Sequence, residues 1–236
     1  TMVPGANIPN PLAGEYGLVN VYEKQGSSTL WFGTNKNRIY KSVDNGLNWT
    51  VSAQLTSTIG AVNSINEIAF CSPSVGICNA YFGPQGNATL SVFKTTDGGA
   101  TWSELPAIDA NYGKNDICAI PGTTFLASCG AGTGNYMISF SQDGGTTWNS
   151  WGGANIQYLT VDFVSPNVGW TGSFSSNTLM TQGGIYKYSG GILNPAPWSS
   201  FTFSNCSNNC TGTYTMFNQS TGNPAPTYSW SVTNPG

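Results

Sequence analysis

Apolar and polar residues alternate in short runs, and Gly, Asn, Ser or Pro interrupts each run after a few positions. Ile39-Tyr40-Lys41-Ser42 and Val92-Phe93-Lys94-Thr95 are such runs. Alternation at every second position predicts half-buried β-strands joined by tight turns. The runs come in sets. Residues 17–22 and 29–33, 65–70 and 75–81, 115–119 and 125–129, and 159–164 and 168–172 form four strand pairs. Each pair precedes a third alternating run and a turn.

The turns share one spelling. Ser42-Val43-Asp44-Asn45-Gly46-Leu47-Asn48-Trp49 is followed by Thr95-Thr96-Asp97-Gly98-Gly99-Ala100-Thr101-Trp102 and Ser141-Gln142-Asp143-Gly144-Gly145-Thr146-Thr147-Trp148. A fourth copy, at residues 185–191 with Trp198 downstream, lacks the Asp. The tryptophans Trp49, Trp102, Trp148 and Trp198 stand 53, 46 and 50 residues apart. The spelling has a physical basis. Asp accepts backbone N–H bonds within its own turn. Gly supplies positive φ without a steric cost. Trp opens the next strand and covers the hairpin with a large apolar ring. Each unit therefore holds four short strands, with the acidic turn between the third and the fourth. Units of this kind, repeated at this period, predict propeller blades.

This pattern resembles the Asp-box (BNR) repeat of sialidases, sortilin-type receptors and some endoglucanases, over roughly residues 15–203. The resemblance implies an all-β fold, a β-propeller of four-stranded blades. Four blades are visible; a larger ring with further blades upstream and a closed ring of four both fit. It also implies that Ser42, Asp44, Gly46 and Trp49, Thr95, Asp97, Gly99 and Trp102, and Ser141, Asp143, Gly145 and Trp148 are structural. Residues 204–236 change in texture. They resemble the opening of a PKD-type, immunoglobulin-like module, with Tyr228-Ser229-Trp230 as one strand. The expected division is a propeller over 1–203 and a truncated β segment over 204–236. A chain that begins at Thr1 and stops at Gly236 reads as part of a longer multidomain protein.

Composition narrows the function classes. Charged residues make up only 7% of the 236 residues and the net charge is −3, where about a quarter charged is usual. The cations are scattered, which excludes nucleic acid as a partner. There is no histidine, so imidazole bases, Ser-His and Cys-His pairs and histidine metal ligands are all excluded. No metal site and no cofactor are expected. No apolar run approaches the roughly 20 residues that span a bilayer.

Cys71 and Cys78 lie in the first two strands of one unit, and Cys118 and Cys129 in those of the next. Opposed positions on antiparallel strands lie close enough to bridge. The spacing predicts disulfides Cys71–Cys78, Cys118–Cys129 and Cys206–Cys210, and with them a secreted or cell-surface location.

Catalysis has few candidates. Sialidases hold their substrate carboxylate with three arginines, and this chain has one, Arg38. The resemblance therefore cannot extend to a complete sialidase site. A glycosidase of another kind needs two carboxylates. With the turn aspartates set aside, Glu15, Glu23, Glu67, Glu104, Asp109, Asp116 and Asp162 remain. Asp116 and Asp162, in the first strands of successive units, are the candidate pair, against a reading as solvated channel acids. Among the aromatics, Trp31 and Trp170 are expected to pack within blades. Trp151 and Tyr112, in Gly/Asn-rich connections, are the candidate binding face. The expected function is non-catalytic: adhesion, scaffolding, or binding of a glycan or surface protein. A glycoside hydrolase is the alternative.

Overall fold

The computed structural model describes residues 2–60, 62–83, 89–131, 135–152, 156–174, 184–188, 201–203 and 216–218. Among them the only helical element is a single 3-10 turn, Gly5–Asn7. Three sheets of four antiparallel strands follow one another along the chain. They are β1 (Gly17–Gln25), β2 (Thr29–Thr34), β3 (Ile39–Ser42) and β4 (Thr50–Val51); β5 (Val62–Phe70), β6 (Gly76–Phe82), β7 (Thr89–Thr95) and β8 (Ser103–Glu104); and β9 (Asp116–Ala119), β10 (Leu126–Gly130), β11 (Met137–Ser141) and β12 (Asn149–Gly152). A fourth sheet contains β13 (Gln157–Ser165), β14 (Val168–Phe174) and β15 (Gly184–Tyr188). The pair β16 (Phe201–Phe203) and β17 (Met216–Asn218) forms a separate ribbon. Within each large sheet the strands neighbour one another in chain order, and the first strand of each sheet packs on the first strand of the next. The chain is a β-propeller of four blades. Residues 189–191 of the worn turn, Trp198, Cys206, Cys210 and nearly all of the 204–236 segment lie outside the described residues.

The acidic turns repeat almost atom for atom. Asp44 Oδ1 accepts from Ser42 Oγ at 2.8 Å and from Asn48 N at 2.9 Å, while Ser42 Oγ accepts from Gly46 N at 2.9 Å. Asp97 takes the same bonds from Thr95 Oγ1 and Thr101 N at 2.8 and 2.9 Å, and Asp143 from Ser141 Oγ and Thr147 N, both at 2.9 Å. The indole N–H of Trp49, Trp102 and Trp148 donates to the carbonyl of Gly46, Gly99 and Gly145 respectively, three residues earlier. The residue after each Asp adopts positive φ: Asn45 at 60°, Gly98 at 74° and Gly144 at 69°. Hydrogen bonds from Asn48 hold the Asp44 carboxyl at about 2, and those from Thr101 do the same for Asp97.

Three apolar clusters fill the spaces between successive blades. Val21, Trp31 and Ile39 meet Ile68, Phe70 and Phe82 between blades one and two. Ile77 and Val92 meet Ile117 and Trp148 between two and three. Ala127 and Phe140 meet Val161 and Phe163 between three and four. The turn of the later blade closes each of the first two joints. Trp31 stacks on Phe70 with centroids 3.8 Å apart and donates its indole N–H to Gly98 O at 2.9 Å. Lys94 Nζ donates to Asp143 O at 2.7 Å and to Thr146 Oγ1 at 2.6 Å.

Among the described residues the two expected disulfides Cys71–Cys78 and Cys118–Cys129 are absent: all four cysteines are free thiols. Strand register explains why. Cys78 pairs with Ile68, three residues from Cys71. An odd offset sends the two side chains to opposite faces of the sheet, and they lie in different apolar clusters. Cys118 pairs with Ala127 and Cys129 with Asp116. These two cysteines share a face but sit on a diagonal, where Cα atoms lie about 7–8 Å apart, beyond ordinary disulfide reach. Burial raises all four thiols above their usual range.

Candidate functional site

Two cavities contain the chemistry. The first, of about 300 Å³, opens between blades three and four. Five aromatic rings gather on it: Trp151 from β12, Tyr158 and Phe163 from β13, and Tyr186 and Tyr188 from β15, while Trp170 of β14 borders it from a position whose side chain takes the other face of the sheet. The rings collect here because of strand parity. Phe163 pairs with Gly169 and Gly169 with Tyr188, so both rings stand on the blade-four face that meets blade three. Gly169 has to be glycine, since a Cβ there would lie 2.6 Å from the Phe163 ring. Trp151 is the hub, with centroids 4.9 Å from Phe140, 5.2 Å from Tyr188 and 5.9 Å from Phe163. Its Nε1 is buried and has no hydrogen-bond partner among the described residues. An unpaired buried N–H costs about 1–3 kcal/mol. Thr171 adds a hydroxyl to the lining.

The second cavity, of about 400 Å³, lies where the innermost strands approach the propeller axis. Glu23, Lys24 and Gln25 of β1 line it together with Cys118 of β9 and Asp162 of β13. The register sorts the axial acids into two layers. Glu23 pairs with Trp31 and Asp162 with Trp170, which makes these two acids equivalent. Glu67 pairs with Asn79 and Asp116 with Cys129, which puts those two at the neighbouring level. Asp116 is thus equivalent to Glu67 and offset by two residues from the position of Asp162. Bulges in β5 and β13 conceal this from a simple count along the chain. Burial, reinforced by the Asp162 charge, pushes Glu23 up to about 7. Burial and the Asp116 charge push Glu67 up to about 8. Asp116 is raised by burial, but its Oδ2 already accepts from Thr160 Oγ1 and Val161 N, both at 2.8 Å. Asp162 accepts from the N–H of Phe163 at 2.8 Å.

The remaining candidates fall as follows. Tyr112 is 1% exposed, and its hydroxyl meets Asn79 Nδ2 at 3.1 Å inside the joint of blades two and three. It presents no face to a ligand. The connection that carries it looks open in sequence, but Trp148 folds over it at a 5.0 Å centroid distance. Trp31 is packed, whereas Trp170 is 40% exposed. Arg38 is spent on structure: it pairs with Glu15 and bonds Tyr40 Oη at 2.8 Å and Asn10 O at 3.1 Å. Among the described residues no three Cys, Asp or Glu side chains converge as metal ligands, and no helix is long and apolar enough to cross a membrane. In the sequence Glu23 and Glu67 are only two of the acids left once the turn aspartates are set aside. The one available signal was an acid on the first strand of every blade.

No family profile matches the chain, and no curated protein matches it. Solved structures do. YCF48 bound to D1 peptide is 14% identical, with 66% of this chain and 46% of that chain covered and a TM-score of 0.41. The GH74 xyloglucanase from Xanthomonas campestris is 14% identical, with 69% and 28% covered and a TM-score of 0.45. YCF48 from Cyanidioschyzon merolae is 12% identical, with 87% and 73% covered and a TM-score of 0.47. The chain spans less than half the length of the first two. Likenesses this loose add nothing to the strand arrangement already described.

Proposed function

We propose that this propeller is a non-catalytic binding module of a secreted or cell-surface protein, and that it takes a glycan in the aromatic cavity between blades three and four. One observation carries the reading: five rings around about 300 Å³, with Trp151 at their centre. Flat rings cover the C–H faces of sugars, and a few fixed donors orient the hydroxyls. The Asp-box resemblance agrees with a glycan-handling setting. Titration calorimetry against a panel of neutral oligosaccharides tests the reading. The wild-type chain is expected to bind at least one, and Trp151→Ala to weaken that binding about tenfold or more, the cost of one lost stacking partner. Failure of the whole panel, or equal binding by the variant, refutes it.

The axial cavity supports a second reading, a glycoside hydrolase. Glu23, raised to about 7, and Asp162, engaged with the Phe163 N–H, line one space. Such a pair matches the acid and base division of labour in glycosidases. Release of reducing ends from the same panel by the wild-type chain, lost in Glu23→Gln, would replace the binding reading.

A further inference from the structure

In the first joint between blades, Trp31 stands opposite Glu23 on one side and Lys41 on the other. Its indole N–H docks on Gly98 O of the next blade's turn, with Lys41 Nζ 5.5 Å from the ring centre. Blade four carries the same triple in the same register: Trp170 opposite Asp162 and opposite Lys187. In blade one that face is sealed, with Trp31 1% exposed; in blade four it is open, with Trp170 40% and Ile185 81% exposed.

The complementary half stands open at the other end. A Cβ on Gly99 would meet Trp31 at 3.2 Å, and one on Gly145 would meet Ile77 at 2.5 Å, because the preceding blade presses on each turn. A Cβ on Gly46 would meet only its own Trp49. Val43 and Leu47, on that same turn, are 61% and 60% exposed. Among the described residues the three apolar clusters join blades one to two, two to three and three to four, and none joins four to one.

We propose that the Trp170–Lys187 face of blade four is one half of a joint whose occupant is the Asp44–Gly46 turn of a second copy of this chain. Trp170 Nε1 donates to the Asn45 carbonyl, as Trp31 does to Gly98 O, and Lys187 reaches the Asp44 carbonyl, as Lys94 does to Asp143 O. The backbone is already shaped for this, since Asn45 has the positive φ of Gly98 and Gly144. The contact is heterologous, head to tail: each copy offers one half and needs the other. It goes beyond the glycan-binding reading and is measured separately from it.

The test is mass by light scattering after size exclusion, at concentrations up to about 100 µM. The wild-type chain is expected at twice its monomer mass or above, rising with concentration. Trp170→Ala and Asn45→Lys, which sets a like charge against Lys187, are each expected to run as monomers. An equimolar mixture of the two is expected to return to dimer mass, because one intact Trp170 meets one intact turn. Both changes are at exposed positions, and unchanged thermal midpoints confirm folding. A monomeric wild-type chain, variants that still associate, or a mixture that stays monomeric overturns the proposal. So does a monomer in which acrylamide cannot quench Trp170, since closure on the chain's own blade one would then be the answer.

Discussion

The axial acids predict an unusual pH profile. Glu67 moves from 4.5 to about 8 and Glu23 from 4.5 to about 7 on folding. A group whose folded pKa is raised binds more protons in the native state, so stability falls as pH climbs from the unfolded pKa to the folded one. At about 1.4 kcal/mol per unit, the ceiling is roughly 5 kcal/mol for Glu67 and 3 kcal/mol for Glu23. Both side chains are only part-buried, so screening reduces these to about 1–2 kcal/mol each. The opposite sign holds for Glu15, kept at about 2 by the Arg38 guanidinium, and for Asp44 and Asp97. Their contribution is present above pH ~4 and is lost as pH drops towards 2. Stability should therefore peak near pH 4.5–5 and decline by about 2–4 kcal/mol towards pH 8.5. With a urea m-value of about 3 kcal/mol/M, the midpoint falls by about 1 M. Urea unfolding at pH 5, 6.5 and 8.5, followed by Trp fluorescence, reads this directly. Glu67→Gln and Glu23→Gln should each flatten the slope and raise the midpoint at pH 8.5. A wild-type midpoint that is level or rises over that range, or Gln variants as steep as wild type, would refute the reasoning.

Two further outcomes are expected. Trp31→Phe keeps the stack on Phe70 but strands the Gly98 carbonyl, so it should cost about 1–3 kcal/mol in a urea titration; a cost near zero would show that water replaces the indole. Cys71, Cys78, Cys118 and Cys129 should resist a thiol reagent in the native chain and react after unfolding without reductant, and failure to titrate them then would mean that they are bridged.

Much of this molecule is legible along the chain because its signals are local. An Asp, a Gly two residues on and a Trp three beyond that specify a turn through bonds spanning at most four residues. Alternation specifies strands, and the period counts the blades. Quantities set by the strand register were hidden. Register aligns Asp116 with Glu67 rather than with Asp162, across strands that one-residue bulges interrupt, and an odd register offset turns Cys71 and Cys78 to opposite faces. Exposure was equally hidden for the aromatics. Trp31 and Trp170 occupy equivalent positions on equivalent strands, yet one is sealed and the other open. That difference depends on whether a neighbouring blade supplies a turn, and no residue near either tryptophan encodes it. The sequence by itself determined the repeating unit and its turns, because those depend on contacts between near neighbours. Only the tertiary structure decided which carboxylates share a cavity, which thiols stay apart and which rings gather, because these depend on register and packing between separate segments.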